Sequence, residues 1–301
     1  MRQAVIDLGT NTFNLLIGEI LDGELQTIFS TKQAVMLGMG GLIEGKISED
    51  ALIRAKKTLE EFEEIAMRYE VDKIYAIGTA AMREAEDIED IEDLTDELEI
   101  NLQVISGTEE ADLIYKGVAL LHDFQEDGII MDIGGGSNEF ILADKSGVLE
   151  AESFNIGVSR LYQMVGEPEV FTSEIREQVD RFIEQETGTF FTNKQVQHLI
   201  GASGSFETLY EMIFEERYPE NPQMIELPID KVHEVIQWSL EATLQERVEN
   251  PWIIPMRKKM LPFAAYSILW VMKRLGTEKL SICPYSLKEG AFSHYFGTPE
   301  D

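Results

Sequence analysis

The chain has 301 residues, 44% hydrophobic and 27% charged, with a formal net charge of -31. That length gives a folded chain room for two domains, and that charge repels nucleic acid and anionic membranes, so neither is expected as a partner. Cys283 is the one cysteine, which excludes an intrachain disulfide and points to a cytoplasmic protein.

The opening residues MRQAVIDLG run straight into a strand pattern without the apolar core of a signal peptide. Ala4 to Ile20 reads as two apolar runs around a small-residue turn. Ser48 then caps a helix with Glu49 and Asp50 in its first turn, and Leu52, Ala55, Leu59, Phe62 and Ile65 recur at helical spacing. Lys73 to Gly78 is a short strand, Thr79 to Glu84 leads away from it, and the acidic stretch Glu84 to Glu99 reads as a solvated helical face. Leu102 to Ile105 is a further strand. Behind it Ser106 and Glu109 have the spacing of a capping box, which turns Glu109 back to the backbone and leaves Glu110 available. The polar segment His122 to Gly128 marks a domain boundary, dividing the chain into 1–124 and 125–301.

Gly128 to Leu142, GIIMDIGGGSNEFIL, is a hairpin whose turn is the size of a phosphate. It overlays the first hairpin at a constant offset of 125 residues, Asp7 on Asp132, Gly9 on Gly134 and Thr12 on Ser137. One such hairpin per half predicts two similar domains. Next come a strand over Val148 to Phe154, a helix from about Ser173, and a strand over Leu199 to Ser205 that runs into a small-residue turn before a helix at Phe206. Pro219 to Pro228 reads as a loop around Pro222. Helices over Asp230 to Arg247 and Pro255 to Leu275, a strand over Lys279 to Cys283 and a helix over Leu287 to Phe296 complete the chain. Within the second of these helices, Leu261 to Met272 is apolar but too short to span a bilayer.

Four small-residue turns therefore lie at strand ends: Asp7 to Thr12, Gly78 to Ala81, Asp132 to Ser137, and Gly201 to Ser205 with Gly204 and Ser205 at its close. Backbone N–H groups at strand ends and helix starts suit an anion, and consecutive glycines can take φ > 0 so that several N–H groups converge on it. Phosphate is the natural ligand. Asp7 and Asp132 would repel it unless a Mg²⁺ held through water reverses the sign, although either could simply hydrogen-bond its own turn. Phosphoanhydride hydrolysis needs a base to activate water. Glu110 and Glu139 are the candidates, and Glu110 could equally serve only the helix dipole. Arg83 could hold phosphate bidentately or form a surface ion pair. His122, His198, His233 and His294 lack ligand spacing for zinc, and Arg257, Lys258 and Lys259 form a basic cluster of helix-end type or an anchor for a polyanion.

The set IDLGTNTF, GTAAMREA, ISGTEEADLIYKGV, MDIGGGSNEF and IGASGSFET resembles the exopolyphosphatase and guanosine pentaphosphate phosphatase (Ppx/GppA) family, over essentially the whole chain and in its short form. The resemblance implies an α/β fold of two ribonuclease-H-like (actin-like ATPase) domains facing each other across a cleft. It also implies release of terminal phosphate from inorganic polyphosphate or pppGpp, with Mg²⁺ as cofactor. Glu110 would be the base, and Asp132 and Glu139 metal or water organisers, with Asp7 a further metal candidate. Gly9, Thr10, Asn11 and Thr12 would form one phosphate loop, Gly134, Gly135, Gly136 and Ser137 the other, with Arg83 a phosphate ligand. The chain departs from the family at Asp112, where Arg is usual, and at Lys259, Pro284, Ser286 and Lys288, which puts substrate preference in doubt. The leading expectation is an exophosphatase. A non-catalytic sensor of polyphosphate or ppGpp and a kinase of the same superfamily are the competing readings, and oligomeric state, a homodimer included, is left open.

Overall fold

The computed structural model describes residues 1–86, 88–219 and 223–297. They divide into two compact units. The first comprises Met1–Leu120, Gly134–Gly136 and the C-terminal stretch from Tyr285, and the second comprises Leu121–Ile133 and Ser137–Pro284. This differs from a single cut between 124 and 125, because the end of the chain clusters with its beginning.

In the first unit, strands β1 (Gln3–Leu8), β2 (Thr12–Leu21) and β3 (Glu24–Ala34) form an antiparallel meander. Helix α1 (Glu49–Arg68) follows, then β4 (Lys73–Gly78), the short α2 (Ala80–Glu84), α3 (Glu89–Glu97), β5 (Asn101–Val104) and α4 (Gly107–Ala119). The sheet order is β3-β2-β1-β4-β5, with β4 and β5 parallel to β1. Apolar side chains of β1 and β2, among them Ile6, Leu8, Phe13 and Leu15, are fully buried with Ala55, Leu59 and Phe62 of α1. The helix starts where expected, Ser48 Oγ accepting the Ala51 N–H at 3.3 Å.

The second unit contains β6 (Gly128–Ile133), β7 (Asn138–Asp144), β8 (Gly147–Phe154), α5 (Val158–Met164), α6 (Ser173–Thr187), β9 (His198–Gly201) and α7 (Gly204–Phe214). It continues with β10 (Ile225–Leu227), α8 (Ile229–Glu241), α9 (Leu244–Glu249), α10 (Leu261–Leu275) and β11 (Lys279–Ile282). Its sheet runs β10-β11-β9-β6-β7-β8. Without the antiparallel edge strand β10, this is the order of the first sheet, and β6 is flanked by antiparallel β7 and parallel β9 as β1 is by β2 and β4. Both units thus repeat one arrangement, as the paired hairpins predict, and it is the ribonuclease-H-like one that the family resemblance implies.

The last helix, α11 (Leu287–Phe296), packs on α4 in the first unit. Two glycines set the closeness of that packing. A Cβ at Gly117 would lie 2.0 Å from Ser286 O, and one at Gly290 would lie 1.7 Å from Leu113 O, so the helices approach backbone to backbone.

Several elements differ from the sequence reading. The helix expected over Asp230 to Arg247 is two, because Ala242 is extended and Thr243 starts a new capping box with Glu246. The helix expected from Pro255 begins at Leu261, after a single 3₁₀ turn over Pro255–Arg257. β3, rich in Thr, Ser, Gln and Lys, is an edge strand that the hydrophobic pattern did not announce. β10 lies inside the segment read as a loop, of which residues 220–222 are outside the described residues. In the acidic stretch, where residue 87 is likewise outside them, Ile91 and Leu94 bury one face of α3. Among the described residues no helix is long and apolar enough to cross a membrane.

Candidate active site

The two hairpins place equivalent carboxylates at equivalent positions, with different neighbours. Asp7 on β1 faces Asn14 on β2, whose Nδ2 donates to Asp7 Oδ2 at 2.8 Å. Asp132 on β6 faces Glu139 on β7, a second carboxylate. Glu139 is 2% exposed and its Oε1 accepts the Ser153 hydroxyl proton at 2.7 Å. Like charges directly opposite one another in a ladder are unfavourable, so a cation between Asp132 and Glu139 would relieve the pair. Among the described residues no group of three or more His, Cys, Asp or Glu could hold a metal. A pair of carboxylates suits a hard ion that keeps most of its water, as Mg²⁺ does. Asp7 has in Asn14 an amide partner that fits the role of a carboxylate hydrogen-bonded within its own hairpin.

The phosphate turns differ from expectation in backbone conformation. None of Gly9, Gly134, Gly135, Gly136 or Gly204 is among the glycines with positive φ. At Gly9 the requirement is space, since a Cβ there would lie 2.8 Å from Thr12 O, the carbonyl that accepts the Gly9 N–H at 3.0 Å. Thr10, next along, is 4% exposed. In the second hairpin Gly134–Gly136 group by contact with the first unit, while Asp132, Ser137 and Glu139 belong to the second.

Glu110 is set up by its neighbour. Ser106 Oγ accepts the Glu109 N–H at 3.2 Å and the Ser106 N–H donates to Glu109 Oε2 at 2.8 Å, the expected capping box. The Ser106 backbone bond, then the Ser106 hydroxyl, hold the Glu109 carboxyl below its ordinary range. Glu110 is buried, 6% exposed, on the first turn of α4. Its Oε2 lies 3.1 Å from Arg83 Nη1, which also donates to Ile105 O at 2.9 Å. Arg83 is thus neither a surface ion-pair partner nor remote from the base candidate. The short α2 that carries it follows Thr79, whose backbone N–H contacts Leu8 O at 3.4 Å and so ties the end of β4 to the end of β1.

In the second unit Gly204 and Ser205 open α7, and Arg257 lies over that helix start. A Cβ at Gly204 would be 1.7 Å from Arg257 Nη2, while Arg257 Nη1 donates to Thr208 Oγ1 at 2.8 Å and Nη2 lies 3.7 Å from Glu207 Oε2. Burial pulls the Arg257 guanidinium below its ordinary range, with Glu207 and Glu211 opposing the shift. The sequence cluster Arg257, Lys258 and Lys259 is therefore not one patch. Arg257 serves α7, whereas the carbonyls of Lys258 and Lys259 both receive Arg247 Nη1, at 2.9 and 3.1 Å. Sequence reasoning missed Ser203, whose Oγ accepts the Ile133 N–H at 3.1 Å and ties the turn before α7 to the end of β6. Its one signal was its place in the GASGS turn. It also missed Asn138, which is fully buried between Ser137 and Glu139 with neither amide atom hydrogen-bonded. At the departed C-terminal positions, Lys288 Nζ pairs with Glu289 Oε1 at 2.7 Å and the Ser286 N–H donates to Glu289 Oε2 at 3.0 Å.

Two sheets of like strand order, each opening on a hairpin with a glycine turn, define the chain as a member of the ribonuclease-H-like class. The model of the Ppx/GppA phosphatase family matches residues 16–297, and the chain belongs to that family. It is similar to an exopolyphosphatase of known structure from Cytophaga hutchinsonii, with 32% identity and a TM-score of 0.92 over 98% of this chain and 97% of that one. It is also similar to the Aquifex aeolicus PPX-GPPA enzyme, with 25% identity and a TM-score of 0.81 over 98% of this chain and 99% of that one. A guanosine-5'-triphosphate,3'-diphosphate pyrophosphatase from Aeromonas hydrophila is 24% identical over 302 residues, which cover 99% of this chain and 60% of the relative. The chain spans about 60% of the length of the curated relatives it matches.

Proposed function

We propose that this chain is a Mg²⁺-assisted exophosphatase that releases terminal phosphate from inorganic polyphosphate, pppGpp or both. The observation that carries the proposal is Glu110, buried, excused from helix capping by Glu109 and held by Arg83. Family membership and the likeness to the Cytophaga hutchinsonii exopolyphosphatase support the substrate class.

In this reading the oxygen of a water attacks the terminal phosphorus, the bridging P–O bond breaks, and the shortened polyphosphate leaves with the bridging oxygen. Glu110 Oε2 takes the proton from the attacking water. Arg83, already fixed by Ile105 O, turns its remaining donors to the transferred phosphoryl oxygens. The backbone amides of the Gly9–Thr12 and Gly134–Ser137 turns hold the oxygens of the chain that stays behind. Glu139 and Asp132 would hold Mg²⁺ through water, and the ion would neutralise charge on the phosphates that a chain of net charge -31 otherwise repels.

The test is phosphate release from long-chain polyphosphate, short-chain polyphosphate and pppGpp, each with and without Mg²⁺. Mg²⁺-dependent release that collapses in Glu110→Ala, with binding retained, is the expected result. Tight binding of all three without turnover over hours would instead select the non-catalytic sensor.

A further inference from the structure

We infer that Arg54 is a positioning residue for the Gly9–Thr12 turn, acting through the segment that follows β3. The inference rests on the reading of that turn as a phosphate cradle.

After Ala34 the chain folds back onto the turn. Val35 N and Met36 N both donate to Asn11 O, at 3.1 and 2.9 Å, and Gly38 N donates to Thr10 O at 3.1 Å. With Gly9 N on Thr12 O, the carbonyls of Thr10, Asn11 and Thr12 all accept hydrogen bonds from this chain. In a planar trans peptide the N–H points away from the carbonyl of the preceding residue. Pinning the Thr10 and Asn11 carbonyls therefore aims the N–H groups of Asn11 and Thr12 to the opposite side, as an anion nest requires.

The segment doing the pinning is itself strained. Met36 has φ 52°, a left-handed conformation that a long side chain keeps only where its surroundings over-determine it. Arg54, half-buried on α1, supplies that constraint: Nε donates to Val35 O at 2.6 Å and Nη2 to Met36 O at 3.2 Å. The Val35–Met36 peptide is consequently gripped at both ends, its oxygen by Arg54 and its N–H by Asn11 O. Hydrogen bonds in series through one peptide reinforce each other. A guanidinium presents its donors in a fixed fork that fits two adjacent carbonyls, a geometry the single ammonium of lysine does not hold.

Arg54→Ala and Arg54→Lys should be compared with the wild-type chain well below each melting temperature. Three readouts apply: tripolyphosphate binding by calorimetry, hydrogen exchange of the peptides covering 9–13 and 34–38, and kcat and KM on polyphosphate. We expect faster exchange in both peptides, tripolyphosphate affinity about tenfold weaker in Arg54→Ala and about threefold weaker in Arg54→Lys, and a rise in KM that tracks the affinity. A part in overall stability alone would lower the melting temperature and leave these readouts unmoved. Unchanged exchange and affinity in Arg54→Ala, with a wild type that binds tripolyphosphate, would overturn the role of Arg54. If Arg54→Ala does not fold, Arg54→Lys carries the same readouts. A wild type that neither binds tripolyphosphate nor hydrolyses polyphosphate or pppGpp would remove the phosphate reading of the turn, while the exchange data would still decide whether Arg54 holds it.

Discussion

Arg83 Nη1 stands 3.1 Å from Glu110 Oε2, so the group proposed to bind phosphate is already paired with the group proposed to take the proton. Glu110→Gln keeps the shape and removes the proton acceptor. Loss of a general base costs about 10²- to 10⁴-fold in rate, so kcat on polyphosphate should drop by that order while the melting temperature stays near the wild-type value. Arg83→Lys keeps the charge but not the fork. It should raise KM by about tenfold, with a smaller fall in kcat. A Glu110→Gln variant with near wild-type kcat would dismiss Glu110 as the base.

Asp132 and Glu139 face each other across the ladder, and this predicts an effect that needs no substrate. Mg²⁺ should raise the melting temperature of the wild-type chain, by about 2–4 °C for each kcal/mol of binding linkage. In Glu139→Gln the metal-free protein should be at least as stable as wild type, because the repulsion is gone, and its response to Mg²⁺ should shrink. A differential scanning fluorimetry titration of both proteins reads this directly. Equal Mg²⁺ responses would refute the assignment.

His198 and His122 give a pH signature. Their rings lie 5.6 Å apart, and the His198 Nε2 and Ser281 Oγ are 2.9 Å apart. Burial, then Lys279 and His122, push the His198 imidazole down to about 4 from its ordinary 6.5, and burial with Lys279 lowers His122 as well. Between those two values the unfolded chain binds more protons than the folded one, so stability must fall as pH drops through this window. Thermal melts at intervals from pH 7 to pH 4 should show that decline, and His198→Asn should flatten it. An identical slope in the variant would place the acid sensitivity elsewhere.

Asn138, fully buried with both amide atoms unpaired, bears a desolvation cost of about 1–3 kcal/mol. Asn138→Leu, which keeps the branching and the number of heavy atoms, should raise the melting temperature by about 2–4 °C for each kcal/mol recovered beyond what the larger methyl groups cost in packing. A lower melting temperature, read by calorimetry, would mean that the amide has a partner when the protein is in solution.

The parts of the fold legible in the sequence were those in which local signals agree. Lys73–Gly78 and Leu287–Phe296 were read to the residue because an apolar run and its flanking breakers coincide. The duplicated hairpin was legible because its offset holds through strand, turn and strand. Thr243-Leu-Gln-Glu246 also carried a visible capping signature, but the apolar period runs across it and suggested one helix in place of two. β3 stayed hidden for the reason given by its position, since an edge strand with polar side chains has little to bury. In the site, Glu110 could be separated from Glu109 by capping logic alone. The Arg83 contact could not be foreseen, because α2 and α4 meet only once β4 and β5 pair. Nor could the clamp of Arg54 on Val35 and Met36, which joins backbone carbonyls that no side-chain pattern reveals.

The contact of Gly117 with Ser286 and of Gly290 with Leu113 also bears on synthesis. The helix that carries Glu110 precedes the second unit in the chain, yet the surface that seats it is encoded after that unit. The first unit cannot reach its final packing until the residues from Tyr285 onward have been translated, so the second can fold before the first is complete.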